Sequence, residues 1–164
     1  MRPEDAKVAL SLPPLLNIAM KAFVNTPLEA LLRARLGCST LFCRRFFTFT
    51  GFIGGSLCFL MLPLASTRYG ATGATACFAM ANAFVALHPA GFKANYMDVT
   101  RASAGVITGI GNTLASVAAY VGPNFVGYVL QHYASWAPVF GVIAALQAVA
   151  AADFLLFSTT TPVD

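Results

Sequence analysis

The stretch Phe46–Ser66 reads FFTFTGFIGGSLCFLMLPLAS and contains no charged residue. A helix needs about 20 mostly apolar residues to cross the hydrocarbon core of a bilayer. This stretch has that length and composition throughout. It therefore predicts a membrane-spanning helix, and it is the strongest such signal in the chain.

Four further apolar stretches of similar length predict an all-α membrane protein with about five spans. They cover residues 8–32, 71–92, 104–130 and 137–157. The first is the weakest, because three prolines, Lys21 and Glu29 interrupt it. The chain is 58% hydrophobic and only 10% charged, with a mean hydropathy of +0.73, whereas soluble domains are about 25% charged. So short a chain cannot hide that much apolar surface in a soluble core.

Basic residues are unevenly divided between the short loops. Loops 33–45 and 93–103 carry six Lys and Arg, whereas loops 67–70 and 131–136 carry only Arg68. Loops rich in Lys and Arg face the cytoplasm, so the first two are predicted to lie inside and the N-terminus outside. An odd number of spans is unusual for a whole transporter, which suggests part of a longer protein.

The remaining residue types exclude several classes of function. Ten basic residues and a net charge of +4 do not indicate nucleic acid, because the cations lie mainly between apolar runs. No Ser-His-acid arrangement, phosphate loop or metal cluster indicates an enzyme, and no cofactor is expected. Four cysteines are present without a CxxC pair or a histidine at metal spacing, and they are interpreted as free thiols in packed helices.

Small residues recur at helical spacing and predict close helix packing. Such residues let membrane helices approach one another. They form three ridges, at Gly51/Gly55, at Gly105/Gly109 and at Gly111/Ala115/Ala119. The three ridges together favour a bundle over isolated membrane anchors.

Two segments of the second half carry a family pattern. Residues 88–113 read HPAGFKANYMDVTRASAGVITGIGNT, and residues 120–128 read YVGPNFVGY. Their spacing resembles the stretch between the tenth and eleventh helices of the anion:cation symporter branch of the major facilitator superfamily. That branch includes phosphate, vesicular glutamate and sialic acid transporters. Residues 11–13, 43–54 and 136–140 resemble it more loosely.

The resemblance implies that the five spans correspond to helices eight to twelve of a twelve-helix transporter. The protein would be the C-terminal portion of a carrier of phosphate or a small organic anion, driven by Na⁺ or H⁺ through alternating access. The resemblance also implies a missing N-terminal half, so the chain is expected to be inactive alone. The chain departs from the family pattern at two places. Arg101-Ala102-Ser103 replaces Pro-Arg-Tyr in a cytoplasmic loop, and Leu28-Glu29-Ala30 replaces Ala-Asp-Arg at the end of the eighth helix.

Three residues are candidates for the substrate cavity. Lys21 is the one basic residue well inside a span, where it either meets an anion or extends to the interface. Asn112 and Thr113 either face the cavity or form hydrogen bonds between helices. Lys21 also has a possible partner in Glu29, about two turns away.

Charged residues near the loops are candidates for gating contacts. The candidates are Glu29, Arg44, Arg45, Asp98 and Arg101. Asp98 is expected to pair with Lys93 or Arg101, either as a contact that stabilises one access state or as a solvated pair of little energy. His88 is interpreted as a packed histidine rather than a proton relay.

A second hypothesis from another class stays open at this point. The chain is then a short, non-transporting membrane protein that pairs with, or regulates, another membrane protein. In either case its surroundings are the lipid bilayer.

Overall fold

The chain folds into helices alone in the part that the structure, a computed structural model, describes, which is residues 3–100 and 102–163. The helices are α1 (Pro3–Met20), α2 (Thr26–Ala34), α3 (Thr40–Val85), α4 (Ala94–Val99), α5 (Ala104–Tyr133) and α6 (Ala137–Phe157). Two π-helical segments, Lys21–Asn25 and Pro89–Lys93, connect α1 to α2 and lead into α4. The predicted all-α class is confirmed.

Three of the described helical stretches are long and apolar enough to cross a membrane. They are Thr40–Val99, Ala104–Tyr133 and Ala137–Phe157. The first has 60 residues, about three times the length that a bilayer requires. Of these, α3 alone has 46 residues and would extend about 70 Å if straight. The protein is thus an integral, multi-pass membrane protein.

Helix α3 is a hairpin of two antiparallel arms, residues 40–69 and 71–85. Its direction reverses at Gly70, whose φ of 59° and ψ of −143° are not helical. Such a positive φ suits glycine, which has no Cβ to clash. The rings of Phe59 and Phe78 lie 6.2 Å apart across the arms, and Gly73 approaches the backbone carbonyl of Ala65 closely. The reversal lies within the predicted loop 67–70.

Two side-chain amides, one from α1 and one from the π-helical segment after it, form hydrogen bonds with the backbone at the second arm of α3. Asn17 Nδ2 donates to the carbonyl oxygen of Asn82 at 2.8 Å, and Asn25 Nδ2 donates to that of Ala86 at 2.6 Å. Polar side chains often form such bonds between membrane helices, where lipid offers no alternative partner. A small apolar core lies where α2, the start of α3 and the segment after α3 meet. Its members are Leu32, Cys43, Phe47, Leu87 and Ala90.

Helix α6 packs against the first arm of α3. Ser56 Oγ donates to the carbonyl oxygen of Ala144 at 2.8 Å. A Cβ at Gly55 would lie 2.7 Å from Gln147 Oε1, and one at Gly51 would lie 2.9 Å from His88 Cδ2. The prediction of close packing at the Gly51/Gly55 ridge is confirmed.

Helix α5 stands largely apart from the other helices. Only Ala104 and Val129 are buried along it, and added Cβ atoms at Gly105, Gly109 and Gly111 would meet open space. The prediction of tight packing at the two α5 ridges is therefore wrong within this chain. Small residues permit close approach, but the described chain supplies no neighbour along this face.

Candidate functional site

A cluster of ionised side chains lies where α2, α3 and α4 meet, at the end of the bundle that carries the basic loops 33–45 and 93–103, called here the basic end. At its centre is Arg44, whose side chain is 9% exposed. Its Nε donates to Asp98 Oδ2 at 2.6 Å. Its Nη1 donates to Glu29 Oε1 at 2.8 Å and to the carbonyl oxygen of Ala90 at 2.9 Å. One guanidinium thus joins three separate elements.

Local structure places Arg44 at this position. Ser39 caps the N-terminus of α3, with its side chain accepting a hydrogen bond from the Phe42 backbone nitrogen at 3.1 Å. Arg44 follows within the next turn. A charge removed from water is costly unless it is paired, and two carboxylates flank this one. Arg33, 3.9 Å from Glu29, brings the cluster to two positive and two negative groups.

The structure brings together three of the five gating candidates, namely Glu29, Arg44 and Asp98. Lys93 was predicted as one of two possible partners of Asp98. That prediction is wrong, because the Asp98 carboxylate binds Arg44 instead. Arg101, the other predicted partner, lies outside the described residues. The Arg44 contact was missed because the two positions are 54 residues apart, and no local spacing indicates such a pair.

Arg45, the next residue, points away from the cluster and holds the C-terminal segment 158–163. Its Nε donates to Ser158 Oγ at 3.0 Å, and its Nη2 donates to the Ser158 carbonyl oxygen at 3.0 Å. Asn95 Nδ2 donates to the carbonyl oxygen of Thr159 at 2.8 Å. The segment is thereby tied across the basic end.

Lys21 lines a cavity of about 290 Å³ between the two π-helical segments. The other lining residues are Asn25, Thr26, Glu29, Pro89 and Ala90. Lys21 and Glu29 share this cavity, but the ion pairs of Glu29 go to Arg44 and Arg33. Asn25 Oδ1 is buried there without a hydrogen-bond partner among the described residues.

Asn112 and Thr113 lie elsewhere, on α5. That helix packs chiefly against α4 and α6 and not beside the cavity of Lys21. Thr113 Oγ1 donates to the Gly109 carbonyl oxygen of its own helix at 3.0 Å. The three substrate-cavity candidates are therefore not brought together by the described chain.

His88 packs between two aromatic rings, which is the interpretation favoured from the sequence. Its ring centroid lies 4.5 Å from that of Phe52 and 5.2 Å from that of Phe92.

Within the residues that the structure describes, no three His, Cys, Asp or Glu side chains converge at metal-binding distance.

Comparison with known proteins identifies relatives, although no family model matches the chain. "Probable anion transporter 5" of Arabidopsis thaliana is 32% identical over 71% of this chain and 28% of its own length. Sialin of Ovis aries is 30% identical over 77% of the chain and 26% of its own length. The chain is a relative of the anion:cation symporters of the major facilitator superfamily.

The name of a third relative mentions both an anion and a cation. "Sodium-dependent phosphate transport protein 1, chloroplastic" of Arabidopsis thaliana is 29% identical over 92% of the chain and 28% of its own length. The resemblance to the anion:cation symporter branch is thus confirmed. The chain spans less than a third of the length of each of these three relatives.

Proposed function

We propose that the chain is the C-terminal portion of a transporter that moves phosphate or a small organic anion by alternating access, coupled to Na⁺ or H⁺. The observation that supports this most is the similarity to anion transporters over most of the chain. Substrates of this superfamily bind near the bilayer midplane, between two halves that move against each other. The function is transport rather than catalysis.

Lys21 is the proposed contact for the anion. It lies in a π-helical segment, a distortion that is frequent at functional sites, and it lines a cavity large enough for a phosphate-sized ion. Its amine forms none of the ion pairs seen among the described residues. An intramembrane cation whose carboxylate neighbour is already paired is available to an anionic substrate. Asn112 and Thr113 are proposed to reach the substrate from α5 in the assembled transporter.

The ion cluster is the proposed gate at the basic end. Glu29, Arg44 and Asp98 connect α2, α3 and α4, so opening this end requires at least one of their bonds to break. Arg45 and Arg101, the two other gating candidates, are proposed to support the closed arrangement. Glu29 lines the cavity of Lys21 as well, so the proposed gate and the proposed anion site would share a residue.

The chain alone is proposed to be inactive, because α5 has no neighbour along most of its length among the described residues. An apolar stripe on this helix is exposed, and its members are Val106, Ile110, Leu114, Val117 and Val121. In a complete transporter, helices of the missing N-terminal half would complete the cavity on this side. The same open face suits the alternative function, in which a separate membrane protein covers it.

The test is a chimera in which this chain replaces the matching segment of the chloroplastic phosphate transporter of Arabidopsis thaliana. Proteoliposomes containing the chimera are assayed for phosphate uptake under Na⁺ and pH gradients, with small organic anions as competitors. We expect saturable uptake by the chimera and none by the 164-residue chain alone. Uptake by the chain alone would refute its proposed inactivity.

A matched pair of lysine variants tests the role of Lys21. In the chimera, Lys21→Met is expected to raise the KM for phosphate, because a charge opposite the anion is lost. Lys7→Met removes an exposed lysine outside the predicted spans and is expected to leave the KM unchanged. Equal effects of both variants, or a folded chimera without any anion uptake, would contradict the proposal. If only co-purification with another membrane protein is observed, the alternative function is favoured.

A further inference from the structure

Four sulfur-bearing side chains line one shallow, open cavity along the two arms of the α3 hairpin, and two of them, Met61 and Met80, are about half exposed. The cavity has a volume of about 320 Å³, and its sulfur residues are Cys58, Met61, Cys77 and Met80. Gly54, Leu57, Ala76 and Phe84 complete its lining. Apart from the sulfurs, the cavity is therefore entirely apolar.

The register of the hairpin explains why the sulfurs meet. Ala65 faces Gly73, Phe59 faces Phe78, and Gly51 faces His88. Continued along the arms, this register sets Cys58 level with Met80 and Met61 level with Cys77.

Each level of the cavity therefore holds one thiol and one thioether. The two levels are separated by three residues, which is about 4.5 Å along a helix. Cysteine and methionine thus alternate around the cavity instead of lying on one arm each.

We propose that these four residues form a site for a soft monovalent cation of the Cu⁺ or Ag⁺ class. Thiolate and thioether ligands select such ions over harder cations, which prefer oxygen or imidazole. The cavity offers two thiols and two thioethers and no oxygen ligand from its lining side chains. Methionine is also unbranched and flexible, so its sulfur adjusts readily to a ligand position.

The charge balance favours a monovalent ion over a divalent one. Binding forms one metal–sulfur bond to a cysteine, breaks its S–H bond and releases the proton to water. One thiolate and one monovalent cation make a neutral centre, and the two thioethers add ligands without changing its charge. The second cysteine stays a protonated thiol beside the ion, because only the thiolate form is a metal ligand. A neutral centre suits an apolar surrounding, where an uncompensated charge is expensive.

This site is independent of the anion-transport proposal, because it uses no residue of the ion cluster or of the Lys21 cavity. The two other cysteines provide an internal control. Cys43 is fully buried in the apolar core, with Cys38 packed against that core, and neither lines the sulfur cavity. A cation that binds thiols without selectivity would not distinguish the two cysteine pairs.

The experiment uses the purified chain in detergent and Ag⁺ as the probe, since Ag⁺ does not need a reductant. Bound silver is measured by elemental mass spectrometry after gel filtration with a competing thioether. We expect one Ag⁺ per chain in the wild type and in C38S/C43S, and none in C58S/C77S. M61L/M80L keeps both thiols and is expected to bind roughly tenfold more weakly or worse, since even outer-shell partners of a metal are worth about 10–100-fold in affinity.

A second measurement needs no variant and therefore does not depend on folding. Ag⁺ should protect Cys58 and Cys77 of the wild-type chain from maleimide, but not Cys38, as read by peptide mass spectrometry. Silver retained by C58S/C77S, unchanged affinity in M61L/M80L, or uniform protection of all four cysteines would each overturn the proposal.

Discussion

Arg44 and Asp98 form an ion pair across 54 positions of the chain, with Nε 2.6 Å from Oδ2. The same guanidinium bonds to Glu29 and to the backbone of Ala90. The basic end therefore depends on one side chain more than on any other in the described chain.

Removing that side chain is expected to destabilise the fold strongly. Arg44→Ala leaves two carboxylates without their main partner, and breaking a buried ion pair in this way costs about 3 kcal/mol. Arg45→Ala loses two hydrogen bonds to Ser158 and should cost about 1 kcal/mol. Thermal unfolding of both variants in one detergent, followed by circular dichroism, measures the difference. Equal losses of stability would show that the cluster is not the main contact.

The hairpin of α3 predicts a strong difference between two Gly→Ala substitutions. At Gly73 a Cβ would press against the backbone of Ala65, which cannot rotate away, and overpacking of this kind costs about 1–3 kcal/mol. At Gly109 a Cβ meets open space, and alanine is the better helix former by about 1 kcal/mol. The same unfolding assay should show a lower melting temperature for Gly73→Ala only. A lower melting temperature for Gly109→Ala in the isolated chain would mean that α5 is covered.

The uneven loop charges predict which side of the membrane each loop faces. A variant that keeps only Cys38 should be shielded from an impermeant maleimide added outside right-side-out vesicles, because loop 33–45 is basic and inside. Ser135→Cys in the same background, with Cys38 replaced, should be labelled from outside. Permeabilised vesicles provide the control, in which both cysteines react. Labelling of Cys38 from outside would reverse the topology.

The C-terminal segment 158–163 should loosen when its side-chain contact is removed. Asn95→Ala deletes the bond to the Thr159 carbonyl oxygen, and the neighbouring bond from Val163 N to the Val99 carbonyl oxygen should then open more often. Hydrogen exchange at residues 158–163 is expected to become faster. Asn124→Ala is the control, because the hydrogen bond that the Asn124 side chain forms among the described residues is to Tyr120 of its own helix. Identical exchange in the two variants would show that Asn95 does not hold the segment.

Local patterns in the sequence predicted the helical membrane fold, whereas most contacts of the candidate site were beyond their reach. Long apolar runs are sufficient to indicate helices in lipid, because every backbone group must be satisfied within the segment. Glu29, Arg44 and Asp98 come from three separate elements, so only the packed structure shows which charges meet. Lys93 is the wrong partner for Asp98 because residues close in sequence need not have side chains that meet, whereas Arg44 is distant in sequence but packs against α4.

The glycine ridges also show how far a sequence pattern alone can predict packing. The Gly51/Gly55 ridge packs against neighbours within the chain. The ridges at Gly105/Gly109 and Gly111/Ala115/Ala119 have none in the described part of the chain. A small-residue ridge indicates that a helix surface permits close approach, not which helix approaches it. The four sulfurs of the α3 cavity were likewise recognisable as a group only after the register of the two arms was known.

The reversal at Gly70 also bears on how the protein enters its membrane. Because the arms contact each other through residues close in sequence, they can pair as soon as both have left the ribosome, without waiting for α5 or α6. The tip of the hairpin carries a single ionised side chain, Arg68. The two arms are therefore suited to insert together as one preassembled unit, against which later helices are added during biogenesis.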